Sequence, residues 1–157
     1  MAGDRGGLHR STLERWTGAD NGLGFGHERD ERYVQLEIRG TFEPSAVSAL
    51  LGIQPDQTAR AGDPVLPEAS TRHHTDFWAI SSGLDRSADV HAHLDELALR
   101  CQTASQHLSG LGRQHALVID IVVYCHEAQG PLVLLTPNHT RLASKWNAAI
   151  NLDIYCV

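Results

Sequence analysis

The residues best suited to binding or chemistry surround a long segment rich in proline and charged residues, positions 54–76, and the strand expected after it. Five of them form a candidate ligand site: Asp63, Arg72, Trp78, Ser81 and Ser82. An arginine fork beside an indole ring can clamp a carboxylate or a phosphate, and serine hydroxyls can orient such a ligand. The structural alternative pairs Arg72 with Asp63 and buries Trp78, because both arrangements are common in proteins.

Histidine provides the second candidate site, since the chain contains ten histidines. His91 and His93 lie two residues apart in a predicted helix and therefore face different sides. Asp89 shares a face with His93 at i,i+4 spacing, and the same spacing relates His91 to Asp95. Each pair offers two ligands, whereas a tetrahedral metal site needs three or four. A bound divalent metal is one hypothesis and exposed charge pairs are the other; no cofactor is predicted. His93 also flanks the apolar stripe of its helix, so we expect partial burial and titration near neutral pH.

Asp120 is the third candidate because it interrupts the most apolar predicted strand, residues 115–125. It shares a face of that strand with Val118 and Val122. If this face is covered, the carboxylate needs a partner or a raised pKa, and buried carboxylates of that kind mark candidate sites. If the face is open to water, or an arginine pairs with Asp120, the residue is structural.

The cysteines predict little chemistry. Cys101, Cys125 and Cys156 form an odd set without a CxxC pair, which indicates reduced thiols in a reducing compartment. A bridge between Cys125 and Cys156 would require neighbouring strands in matching register, which spacing in the sequence cannot establish. The sequence also lacks the motifs of phosphate-binding loops, zinc proteases and serine hydrolases, so an enzyme is the less favoured class.

Composition and charge narrow the possible partners. A chain of 157 residues is long enough for one domain. Its formal net charge is -6, and Lys145 is the only lysine, so a nucleic-acid or anionic-membrane partner is not expected. No apolar run resembles a signal peptide or a membrane helix, and we expect a cytoplasmic protein.

The spacing of apolar residues predicts the helices and strands, and proline and glycine mark where helices begin and end. Residues 1–32 hold seven of the 14 glycines and are expected to be a flexible extension, followed by one domain over 33–157. The first half of the domain is expected to contain a strand from Tyr33, a helix from Pro44 to Gly52, a strand over 77–82, and a helix capped by Ser87 that continues to Leu111. The second half is expected to contain strands over 115–125 and 132–135, a helix capped by Thr136, and a last strand over 150–156.

This order predicts an α+β fold. The simplest arrangement is a mixed or antiparallel sheet of about five strands, with the helices packed mainly on one face in a ferredoxin-like manner. An exposed edge of such a sheet could also pair two copies of the chain into a homodimer.

Several short fragments, in order, carry a resemblance to a known family. They are Leu51-Gly52-Ile53 with Pro55, Gly62-Asp63, Arg72, Trp78 with Ser81-Ser82, His93-Leu94 with Leu97, and Leu152-Asp153-Ile154-Tyr155. Together they resemble the DUF4279 family of small bacterial proteins, over roughly residues 33–157. The resemblance implies an α+β domain and no particular reaction, so function must be argued from sites.

The function predicted first is a non-enzymatic binding or protein-interaction module. Its acidic charge would suit inhibition of a basic partner, in the manner of an immunity protein or antitoxin. The alternatives are a small metal-dependent enzyme that uses histidine and aspartate, and a sensor of an anionic small molecule bound near residues 54–82.

Overall fold

The computed structural model describes residues 30–126 and 133–156. Nearly all of the N-terminal extension therefore lies outside the described residues. The same is true of residues 129–131, where the sequence Gln-Gly-Pro predicts a turn. The strand expected at 132–135 is not found in its described part, since residues 133–135 have no strand pairing.

Five strands and four helices make up the described chain. The strands are β1 (Glu31–Gly40), β2 (Gln57–Ala59), β3 (Asp76–Ser81), β4 (Ala116–Cys125) and β5 (Ala149–Cys156). The helices are α1 (Pro44–Leu51), α2 (Val90–Arg100), α3 (Ser105–Gln114) and α4 (Pro137–Trp146), and a short 3₁₀ helix (Gln102–Ala104) joins α2 to α3. None of the helices in this part of the chain is long and apolar enough to cross a membrane.

The strands form one mixed sheet in the order β2-β3-β1-β4-β5. β1 pairs antiparallel with β3 and β4, β2 pairs antiparallel with β3, and β4 runs parallel to β5. The α+β prediction is therefore confirmed. The ferredoxin-like arrangement is not, because β1 is antiparallel to both neighbours and the parallel pair lies at the edge of the sheet.

The core lies between the helices and one face of the sheet. Alternate residues of β1 and β4, such as Leu36 and Ile119, meet the apolar sides of the helices there. The opposite face differs from expectation. The alternation in β1 predicted a half-buried strand, yet Gln35 and Glu37 are also buried, at 1% and 2% exposure.

The long helix predicted to run to Leu111 is interrupted. α2 ends at Arg100, Cys101 leaves the helical conformation with a ψ of 5°, and the 3₁₀ turn leads into α3. The apolar residues on both sides of this break remain buried, so their regular spacing does not reveal it. The helix also begins at Val90 rather than after Ser87, whose N–H and hydroxyl both bond to Asp85 Oδ1.

Two helix boundaries agree with the punctuation in the sequence. α1 begins at Pro44 and ends at Leu51, and the cap residue Gly52 has a φ of +66° and donates its N–H to the carbonyl oxygen of Ser48. α4 begins at Pro137 after Thr136, whose side chain accepts from the N–H of His139. Proline at a first helical position and glycine in a left-handed cap are the expected signals for these ends.

The segment 54–76, expected to be a loop, contains the edge strand β2 and a small hairpin. Pro64 and Arg72 form an isolated antiparallel bridge. The N–H of Gly62 donates to the carbonyl oxygen of His73, and that of His73 donates to the carbonyl oxygen of Asp63. These bonds close the hairpin between Gly62 and His73.

Candidate functional site

The edge strand β2 lies between two surface depressions. The larger groove, of about 730 Å³, separates β2 from α1 and is lined by residues that include Ala49 and Thr58. The smaller groove, of about 500 Å³, lies towards the opposite face of the sheet and is lined by residues that include Gln57 and Phe77. Thr58 and Ala59 line both grooves, so β2 forms the wall between them.

Acidic side chains outnumber arginine among the charged residues that line these two grooves. Glu43 and Asp63 line the larger groove, and Asp56 and Asp63 line the smaller one. Arg60 lines the larger groove, and its guanidinium is already engaged by Glu43 and, through Nε at 3.1 Å, by Asp76. The grooves therefore present carboxylates rather than a free positive charge.

Buried hydrogen bonds of Asp76 hold the base of this region together. Its carboxylate accepts the N–H of Ala61 at 3.0 Å and that of Phe42 at 2.9 Å. These backbone donors, with a further contribution from Arg60, hold the pKa of Asp76 below its ordinary value. The carboxylate thus ties the chain before α1 to the chain after β2, which fixes the walls of the larger groove.

The structure separates the residues predicted to clamp an anion. Trp78 is fully buried, and its indole N–H donates to Ser48 Oγ at 3.0 Å, so the ring is not accessible to a ligand. Arg72 is exposed on the small hairpin, and its described surroundings contain no ion pair with Asp63. Asp63 Oδ2 instead accepts the backbone N–H of Arg60 at 2.7 Å. The core position of Trp78 and the exposed position of Arg72 thus do not form one clamp.

The two serines predicted at the site make different contacts. Ser81 donates its N–H and its hydroxyl to Asp56 Oδ2, at 2.6 and 2.8 Å. Ser82 is buried, and its Oγ lies 2.5 Å from His93 Nδ1. These contacts tie the end of β3 to the chain before β2 on one side and to α2 on the other.

The Ser82–His93 pair has the composition of a nucleophile and a base, but both residues are buried. The sequence predicted partial burial of His93, but the residue is fully buried. Burial, with Arg32 as a second cause, lowers the pKa of the ring and so disfavours its protonated form. His91 is exposed on another side of α2. In residues 30–126 and 133–156 no group of three metal-binding side chains is arranged around a common point.

A polar layer on the sheet face opposite the helices contains Asp120. We use this name for five residues on three neighbouring strands: Gln35, Glu37, Asp120, Asn151 and Asp153. Asn151 Nδ2 donates to Asp120 Oδ1 at 2.7 Å and to Asp153 Oδ2 at 3.2 Å. Gln35 Nε2 donates to Glu37, which also accepts from Arg39 Nε at 2.9 Å. Three carboxylates, those of Glu37, Asp120 and Asp153, thus lie in one layer, and Arg39 pairs with Glu37.

Asp120 is the most perturbed carboxyl group of this layer. It is 2% exposed, and Oδ2 has no hydrogen-bond partner among the described residues. Burial and, next, the neighbouring Glu37 raise its pKa to about 6, against the opposing hydrogen bond from Asn151. The first of the two alternatives for Asp120, a covered face with a raised pKa, describes this geometry.

Sequence reasoning missed the partners of Asp120 and the residues of the two grooves. Gln35, Asp120 and Asn151 are direct neighbours across β1, β4 and β5, a relation that depends on strand register. The sequence signal that could have found them is the polar alternation in β1, Gln35 and Glu37, beside a strand interrupted by Asp120. No comparable signal linked Glu43 to Arg60, because folding brings them together from segments 17 residues apart.

Comparison with known proteins gives one match. The model of a family described as a domain of unknown function, DUF4279, matches residues 30–157. This match confirms the resemblance seen in the sequence and extends it to Asp30. No curated protein and no solved structure matches the chain.

Proposed function

The chain belongs to the DUF4279 family, and we propose that it is a protein-interaction module that binds an extended, basic segment of a partner along the outer edge of β2. The family description specifies no reaction or ligand, so the proposal rests on the site. The observation that carries it is the position of an edge strand between two acidic grooves.

The edge of β2 supports strand addition. β2 is the terminal strand of the sheet, and in the described chain its outer side pairs with no other strand. An added peptide strand satisfies such an edge with main-chain hydrogen bonds. Its alternate side chains would then point into the larger groove beside α1 and the smaller groove beside Phe77. One extended segment would therefore fill both grooves at once.

Charge favours a basic partner. Three carboxylates, those of Glu43, Asp56 and Asp63, line the two grooves, and one arginine, Arg60, is paired with Glu43 and Asp76, so the lining keeps a net negative charge. The formal charge of -6 for the whole chain acts in the same direction at longer range. Such complementarity speeds encounter and disfavours acidic competitors. Inhibition of a basic protein, as by an immunity protein or antitoxin, is the role that best uses these properties.

The anionic-sensor alternative has less support. A clamp for an anion requires an accessible cation, but Arg60 is held by Glu43 and Asp76, and the indole of Trp78 is buried. Metal-dependent catalysis likewise has no supporting cluster in the described residues. No observation on these side chains therefore favours either alternative over strand addition.

The experiment measures binding of fluorescent synthetic peptides in which valine alternates with lysine. A matched set with glutamate in place of lysine tests the role of charge. We expect the lysine peptides to bind and the glutamate peptides not to bind, with an affinity that falls as salt rises. Equal binding of both sets, or of neither set, would contradict the proposed charge preference.

Two variants of α1 locate the binding surface. Ala49 and Ala46 are both exposed on this helix, but Ala49 lines the larger groove and Ala46 does not. Ala49→Trp places an indole in the groove and should weaken binding by about tenfold or more, or roughly 1.4 kcal/mol. Ala46→Trp is the matched control and should bind like the parent. If the two variants bind alike, the peptide occupies another surface.

A further inference from the structure

The parallel pairing of β4 with β5 brings two cysteines together. Cys125 is the last residue of β4, Cys156 is the last residue of β5, and the two are direct partners in the register. Neighbouring strands lie about 4.7–4.9 Å apart, and a disulfide spans Cα separations of about 4.4–6.8 Å. The register that the sequence could not establish is therefore the one a bridge requires.

The two thiols also share a face of the sheet and differ in access. Partners in a parallel strand pair project their side chains to the same face of the sheet, so the two sulfur atoms lie on one side of β4 and β5. Cys125 is buried, whereas Cys156 is exposed at the edge of the sheet. Burial raises the pKa of the Cys125 thiol, and the Cys156 sulfur beside it adds to that effect. The accessible sulfur is thus the one that a reagent meets first, and the buried sulfur is placed to resolve the product.

We propose that Cys125 and Cys156 form a redox-sensitive dithiol, which low-molecular-weight disulfides of the glutathione class convert into an intramolecular disulfide. In the first step the Cys156 thiolate attacks one sulfur of the reagent. A mixed disulfide forms, the reagent's S–S bond breaks, and one thiolate leaves. In the second step Cys125 loses its proton to solvent and its sulfur attacks the Cys156 sulfur, which expels the second reagent thiolate.

The exchange is balanced without another reactant. The two cysteines lose two electrons and two protons, and the reagent disulfide gains them as two thiols. The product ties the carboxyl end of the edge strand β5 to β4 and closes the chain between residues 125 and 156 into a ring. Cys101 is buried at the end of α2 and provides an internal reference thiol that takes no part.

The test equilibrates the full chain with graded ratios of reduced to oxidised glutathione. The samples are quenched in acid, alkylated after denaturation, and analysed by intact mass and peptide mapping. We expect a cross-linked peptide that contains Cys125 and Cys156, the loss of two hydrogen atoms in mass, and alkylation confined to Cys101. Alkylation of both Cys125 and Cys156 under oxidising ratios would overturn the proposal, as would a bridge that includes Cys101 or links two chains.

Single-cysteine variants separate the two steps. Cys125→Ser should leave a lasting glutathione adduct on Cys156, and Cys156→Ser should leave Cys125 reduced because that thiol is buried. Cys101→Ser should form the bridge as the parent does. If Cys125→Ser does not fold, Cys125→Ala, which adds no hydroxyl to the core, replaces it. An adduct on Cys156 that persists in the parent, with Cys125 still free, would refute the resolving role of Cys125.

Discussion

Replacing Asp120 by asparagine should stabilise the protein at neutral pH. The carboxyl group lies in the buried polar layer, where Oδ1 accepts from Asn151 and Oδ2 has no hydrogen-bond partner in the described chain. Burial and the charge of Glu37 disfavour ionisation and raise the pKa of Asp120 to about 6. An asparagine keeps an oxygen for Asn151 and removes the charge that the surroundings penalise.

The sign and size of the effect follow from linkage. A carboxyl group with a raised pKa binds its proton more tightly in the folded state, so its contribution favours folding in acid and is lost as pH rises from about 4 to 6. The difference between the ordinary value of 3.8 and about 6 corresponds to about 3 kcal/mol. Asp120→Asn should therefore match the parent near pH 4 and exceed it by up to about 3 kcal/mol at pH 7.

The assay compares melting temperatures of the parent and the variant between pH 4 and pH 7. For a chain of this length, about 3 kcal/mol corresponds to roughly 6–12 °C. Glu68→Gln is the matched control, because it neutralises an acidic residue on the exposed hairpin and should give no pH-dependent difference. A difference in melting temperature between the parent and Asp120→Asn that is the same at pH 4 and pH 7 would refute the raised pKa of Asp120. A variant that melts below the parent at pH 7 would refute it as well.

Three further substitutions test the packing. Gly112→Ala should lower the free energy of unfolding in urea by about 2 kcal/mol or more, because its Cβ would collide with the Trp146 carbonyl oxygen; an unchanged midpoint would contradict that contact. Ser82→Ala should lower the free energy of unfolding by about 1–3 kcal/mol in the same assay, because it leaves the buried Nδ1 of His93 without its partner; an unchanged free energy would contradict that hydrogen bond. Arg72→Ala should change stability by less than about 0.5 kcal/mol, since the side chain is exposed; a larger loss would show that it pins the hairpin.

Local signals in the sequence were sufficient where structure depends on a few neighbouring residues. Pro44 and Gly52 mark the ends of α1 because one needs no N–H partner and the other adopts a left-handed cap. A strand that is apolar on both faces, as residues 117–123 are, is expected in the interior of a sheet, and β4 has neighbours on both sides. Such features require no knowledge of the remainder of the fold.

The same reasoning fails where the outcome depends on a contact made across the fold. The apolar spacing from Val90 to Leu111 predicts one helix, because a 3₁₀ turn at residues 102–104 preserves the buried stripe. Gln35 and Glu37 read as solvent-facing residues of β1, but their neighbours on β4 include Asp120 and make a buried network. The sequence supplied the residue types of this layer and could not supply their pairing.

The register of β5 against β4 decides both the polar layer and the thiol pair. It sets Asp120 beside Asn151 and Cys125 beside Cys156. A slip of one residue would turn every side chain of β5 to the other face, so neither pair could form. A mapped Cys125–Cys156 bridge would therefore require the same alignment that brings Asn151 to Asp120. If that bridge forms and Asp120→Asn still shows no pH-dependent gain in stability, the register is right and the raised pKa of Asp120 is wrong. If neither the bridge nor the gain in stability is found, the pairing of β5 with β4 is wrong.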